Sequence, residues 1–170
     1  IIEDGGTIPA KLSQTQLETI DDLIMRGAAA MGVDTGIVKG DLVIDCHGHP
    51  LVIELALRLS GGWLATHQIV AATGVDLVDA VISNALGEPV LPEQLIPNQH
   101  DSTAIRYWFP PEGRIVNIRG EDELKRTPGL IKYGFFRKQG DCQSRIRMHP
   151  DRFGYVIVGG EDRQEATQRV

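Results

Sequence analysis

The chain has 170 residues, a formal charge of -6 and a pI of about 5.3, enough for one medium domain or two small ones. No apolar stretch approaches the roughly 20 residues a membrane helix needs, no signal-peptide pattern is present, and acids are interspersed among the cations between Arg106 and Arg152, which argues against nucleic acid as a partner. Two cysteines far apart in sequence, Cys46 and Cys142, suit a reduced cytoplasmic protein.

The chain opens Ile1-Ile2-Glu3 with no methionine, which reads as the middle of a strand and points to an excised fragment whose upstream half lies elsewhere in the same protein. Residues 1–10 read as extended, broken at Gly5-Gly6 and closed by Pro9. Ser13 offers a helix N-cap with Gln16 as its capping-box partner. Leu17, Ile20, Leu23, Ile24, Ala28 and Met31 then recur at helical spacing, predicting a helix over 14–31 that Gly32 ends.

Two strands are expected next, 37–45 and 51–57, joined by Cys46-His47-Gly48-His49-Pro50 as a β-hairpin. Antiparallel pairing through this turn would set Asp41 and Glu54 side by side, and a bulge would turn both toward one cleft. In a strand Glu54, Ala56 and Arg58 share a face. An acid and a guanidinium there, just before the flexible Gly61-Gly62, suit a metal-bound polyphosphate. The acid holds the cation, the arginine neutralises a phosphoryl oxygen and the glycines let backbone N–H groups approach.

Residues 63–72 and 75–86 read as two helices separated by Thr73-Gly74, the second capped by Asp76. Residues 89–101, with Pro89, Pro92 and Pro97, read as a linker. Beyond it, 103–109 and 114–118 alternate around Pro110-Pro111-Glu112-Gly113, predicting a hairpin. A short helix is expected over 121–126, strands over 130–137 and 155–158, and a terminal helix opened by Asp162 and Glu165.

The order of Glu3-Asp4-Gly5-Gly6-Thr7-Ile8-Pro9-Ala10, Gly36-Ile37-Val38-Lys39-Gly40-Asp41, Ile53-Glu54 to Arg58 and Ala72-Thr73-Gly74-Val75-Asp76-Leu77-Val78 resembles the C-terminal half of the ATP-grasp superfamily. Its members include carboxylate–amine ligases, biotin carboxylase and carbamoyl-phosphate synthetase. The later half, with Arg114 to Arg119 and Gly154-Tyr155-Val156-Ile157-Val158-Gly159-Gly160, is similar to the C-terminal lid of the L-amino-acid-ligase-like branch. The resemblance implies an α+β fold. Residues 1–88 would be the C-terminal half of an ATP-grasp catalytic domain, an antiparallel sheet with helices, and 102–170 a small α+β lid domain. It implies ATP as cofactor, with Mg²⁺ or Mn²⁺ held by Asp41 and Glu54, Arg58 stabilising the transferred phosphoryl group, and Gly61 and Gly62 lying near the acceptor site. It also implies activation of a carboxylate as an acyl phosphate for attack by an amine or amino acid. Many members carry asparagine two residues after the glutamate as a further metal ligand; this chain has Ala56, which cannot coordinate and marks the amino-acid-ligase-like branch.

The adenine-binding hinge, phosphate-binding lysines and glycine-rich flap of that superfamily lie upstream and have no match here; Lys11 and Lys39 do not replace them. The fragment by itself is accordingly expected to be inactive, with the upstream half of the same protein as its partner and a homodimer as a further expectation. Alternative readings are a carbamoyl-phosphate-synthetase-like or biotin-carboxylase-like enzyme, or a non-catalytic remnant acting as a binding or assembly module. Ala56 and the short lid favour the ligase.

Other residues carry plainer readings. Glu54 alone could pair with Arg58 and hold no metal. Asp45 reads as a solvated turn residue. Cys46, His47 and His49 match no closed zinc site. His67, His100 and His149 read as structural or exposed, Trp63 as packing a helix start, and Tyr107, Trp108 and Phe109 as alternating strand residues. Cys142 has no evident catalytic partner.

Overall fold

A computed structural model describes residues 2–170; the first residue of the expected N-terminal strand, Ile1, lies outside the described residues. The chain forms two compact units. One comprises the N-terminal residues through Pro9, His67–Gly74 and Pro97–Val170; the other comprises Ala10–Thr66 and Val75–Ile96. The units thus interleave in sequence, whereas the linear division at 88 and 102 does not.

The first unit is built on a four-stranded antiparallel sheet of order β1-β4-β8-β6, with β1 Gly5–Ile8, β4 Ser102–Trp108, β6 Leu130–Phe135 and β8 Gly154–Gly160. The near-continuous apolar run of β8 marks a strand buried on both faces. Ile157 and Val158, which point to opposite faces, are both 0% exposed. Ala104, Val156, Val158 and Ala166 form the core against α5 (Arg163–Arg169), and α2 (Ile69–Thr73) packs against β4. Asp162 caps α5 by accepting from Glu165 N at 2.8 Å.

The hairpin expected of 103–109 with 114–118 does not form. β4 pairs with β1 and β8 instead, and Arg114 lies in the short β5 (Gly113–Arg114), paired with β7 (Cys142–Gln143). The reason lies in the chemistry of the two segments. Ser102 to Ile105 are all buried and need a covered position between two strands, while Val116 is 77% exposed and offers no face to bury. Pro110 and Pro111 also lack the N–H groups a tight two-stranded ladder would use.

The second unit follows the sequence closely. Ser13 caps α1 (Gln14–Ala30) in a full capping box with Gln16, and Gly32 takes φ +72 just past the Met31 cap. β2 (Lys39–Ile44) and β3 (Pro50–Ala56) form the expected antiparallel hairpin. Leu55 on β3 meets α1: a Cβ added to Gly27 would lie 2.3 Å from Leu55 Cδ1, and one added to Gly40 would lie 2.5 Å from Ile24 Cδ1. The helix and hairpin thus pack closely at both glycines, where a side chain would force the Leu55 or Ile24 methyl to move. α3 (Leu77–Ala85) is capped by Asp76, which accepts from Val78 N and Asp79 N. Among the described residues this unit leaves much apolar surface open, including Leu51, Ile53 and Leu57, each at least 49% exposed.

Candidate functional site

The hairpin register sets the site. Asp41 and Glu54 are direct cross-strand partners, with Gly40 opposite Leu55 and Leu42 opposite Val52. A bulge between Asp41 and Leu42 leaves Ile53 as the extra residue on β3. Because successive residues alternate faces, Leu55 toward α1 puts Glu54, with its partner Asp41, on the face away from the helix. Both are exposed, the Asp41 side chain at 53%. Two hard oxygen donors side by side and open to solvent suit Mg²⁺, which keeps waters and takes phosphate oxygens alongside one or two carboxylates. Among the described residues no group of three or more His, Cys, Asp or Glu is arranged to hold a metal alone, so any cation here would share its coordination with a ligand.

Arg58 lies past the end of β3, which stops at Ala56 rather than running through Leu57. Its backbone N–H donates to Ala56 O at 3.0 Å, bending the chain, and its Nη1 donates to the neighbouring Leu59 O at 3.0 Å. Among the described residues Arg58 makes no ion pair with Glu54, so that pairing is not what holds either side chain. A Cβ added at Gly61 would meet nothing within 4 Å, and Gly62 has φ +61. Trp63 follows with φ +67, an uncommon conformation for a bulky residue. The helix expected over 63–72 then forms in two parts, a π-helical turn, Leu64–Gln68, running into the regular α2.

Asp45 is more than a solvated turn residue. Its Oδ1 accepts from His47 N and His49 N, each at 2.8 Å, and His49 Nδ1 lies 3.5 Å from Oδ2. The His49 backbone N–H, foremost among these partners, holds the Asp45 carboxyl below its usual value. His67 is half-buried in the π-helical turn, and burial, then the nearby Lys132 charge, lowers its pKa. His149 Nε2 accepts from Glu3 N at 3.4 Å. Cys46 and Cys142 are exposed free thiols. Tyr107 is buried within β4 and Phe109 is 39% exposed.

Two features escaped the sequence reading. Lys39, two residues before Asp41 on β2, donates its ammonium to Asp41 Oδ2. Its placement on the same strand face was the available signal. Arg152, 5% exposed, sits 3.6 Å over the Tyr107 ring and reaches both the Glu3 backbone carbonyl and the Glu3 carboxylate. No sequence pattern links residues so far apart.

Comparison with known proteins places the fold. The chain superposes on an L-amino acid ligase from Bacillus licheniformis with a TM-score of 0.86 and 20% identity, covering 99% of this chain and 41% of that one. The chain has the fold of the C-terminal part of an ATP-grasp enzyme. A phosphoribosylglycinamide synthetase from Anaerococcus prevotii matches with a TM-score of 0.78 and 16% identity over 99% of this chain and 42% of that one. Residues 106–170 match the family L-amino acid ligase C-terminal domain 2, the branch that the later half resembles in sequence. An uncharacterized protein, y4rH of Sinorhizobium fredii, is 29% identical over 162 residues, 94% of this chain and 33% of that protein. The ATP-grasp fold seen here thus spans 33% of that relative and about two fifths of the solved structures, 41% and 42%.

Proposed function

We propose that this chain is the metal- and phosphate-binding part of an ATP-dependent ligase that joins a carboxylate to an amine or amino acid. The observation that carries it is the pairing of Asp41 with Glu54 across the hairpin, on the face left free by α1. The match of residues 106–170 to the L-amino acid ligase family supports the choice of ligase, as does Ala56.

In this reading Asp41 and Glu54 hold Mg²⁺, or Mn²⁺ in its place, against the ATP phosphates. The cation supplies charge neutralisation at the phosphate oxygens. Arg58 leaves the strand with its guanidinium on the solvent side and offers a planar fork to the phosphoryl group passing to the substrate carboxylate. Gly61 and Gly62 lie where the acyl phosphate would meet its acceptor. The chemistry asks for charge stabilisation rather than a protein nucleophile. Residues 1–88 act as the catalytic half, 89–101 as linker and 102–170 as lid.

The hinge and flap that hold the nucleotide belong to an upstream half of the same protein. The open apolar row Leu51, Ile53 and Leu57 is consistent with such a covering partner, or with a second copy. No described helix is long and apolar enough to cross a membrane; a cytoplasmic location is part of the same proposal.

The test is ADP release by the intact native protein with Mg-ATP and pooled amino acids, beside Glu54→Gln. Amino-acid-dependent turnover that collapses in the variant supports the reading. Turnover untouched by Glu54→Gln overturns the assignment of the acid pair.

A further inference from the structure

Lys39 faces Ala56 across the hairpin, one pleat repeat along from the Asp41–Glu54 pair. Alanine at 56 leaves the space beside Lys39 free of a larger side chain. The Lys39 side chain is 17% exposed against 53% for Asp41, so its stem lies along the protein while its ammonium meets Asp41 Oδ2. Like charges directly opposite each other on paired strands repel. With Asp41 and Glu54 as such partners, Lys39 reduces the charge of the cluster from -2 to -1.

We propose that Lys39 is the resident counter-ion of this acid pair. It occupies Asp41 when no polyphosphate is bound, weakens capture of free divalent cation, and yields Asp41 when the cation arrives with a polyphosphate whose oxygens accept the displaced ammonium. The inference rests on the reading of Asp41 and Glu54 as metal ligands. Lys39 is a positioning residue in this scheme: it acts through Asp41 and does not coordinate the metal.

The experiment is a titration of the intact protein with Mn²⁺ in the absence of nucleotide, followed by the electron-paramagnetic signal of free Mn²⁺. Lys39→Met and Lys39→Gln should bind Mn²⁺ about two- to fivefold more tightly than the parent, the span an exposed ion pair covers. Lys39→Arg should match the parent. Mn²⁺ should raise the melting temperature of the two neutral variants more than that of the parent, which separates the effect from a folding defect. Repeating the titration with tripolyphosphate present should narrow the difference between parent and variants. Equal Mn²⁺ affinity in parent and both neutral variants, with binding still lost in Glu54→Gln, overturns the role of Lys39 and leaves the metal reading standing. Mn²⁺ binding that is unchanged in Glu54→Gln and in Asp41→Asn overturns both.

Discussion

Asp41 and Glu54 stand directly opposite each other on paired strands, and α1 covers the reverse side of the same hairpin through Leu55. Because the carboxylates project to solvent, neutralising one should cost little folding stability. Asp41→Asn and Glu54→Gln are expected to keep the parent melting temperature. ATP-dependent turnover of the intact protein should fall about a hundredfold or more, as losing one charge-stabilising group at a reacting centre commonly does. Turnover against Mg²⁺ concentration checks this, and the loss should lessen as Mg²⁺ is raised.

Among the described residues the Arg58 side chain bonds a neighbouring carbonyl within its own turn, so it is available for a ligand. Arg58→Lys keeps the charge and loses the planar fork. Both Arg58→Lys and Arg58→Ala should fold normally. The alanine variant should lose more turnover than the lysine variant, and kcat should fall more than KM rises if the arginine acts on the phosphoryl group in transit. Equal, wild-type kcat in both variants would remove Arg58 from the chemistry.

Asp45 organises the hairpin turn, and the His49 backbone N–H bonded to it is the foremost reason that its carboxyl titrates below the usual value near 3.8. A carboxyl with a depressed folded pKa adds stability that is fully present above the unfolded value and is lost as pH falls through the folded one. Thermal melts from pH 7 down to pH 2 should therefore show the parent losing its advantage over Asp45→Ala below about pH 4. A constant gap between the two across that range would assign the turn's stability to something other than this carboxylate.

Arg152 ties the N-terminal segment to the end of the chain by stacking on Tyr107 and bonding Glu3. Glu3 is half-exposed and can be rehydrated, so its loss should be mild. Arg152→Ala removes the stacking, the carbonyl bond and a buried stem together, and should cost about 2–3 kcal/mol. Glu3→Gln should cost less than about 1 kcal/mol. Urea unfolding of the two variants distinguishes them, and equal losses would mean that the ion pair, not the packing, dominates.

The sequence by itself determined the pieces whose causes are local. Ser13 with Gln16, Asp76 and Asp162 fixed three helix starts because a cap bonds N–H groups two or three residues away. The turn 46–50 fixed the β2–β3 hairpin because only a short loop had to close, whereas the bulge at Ile53, not the turn, set Glu54 opposite Asp41. Tertiary structure decided the rest. Gly5 pairs with Arg106, and Gly113 with Gln143, through contacts that no local pattern encodes. The strand beginning at Ser102 took its neighbours according to how much apolar surface each pairing buries, and that outweighed the short turn at Pro110. The same holds for Arg152, whose partner Glu3 comes within reach only after β1 joins the sheet beside β4. Lys39 lies between these cases. Its distance from Asp41 is two residues, but only the register that sets Ala56 opposite leaves its ammonium clear to reach that acid.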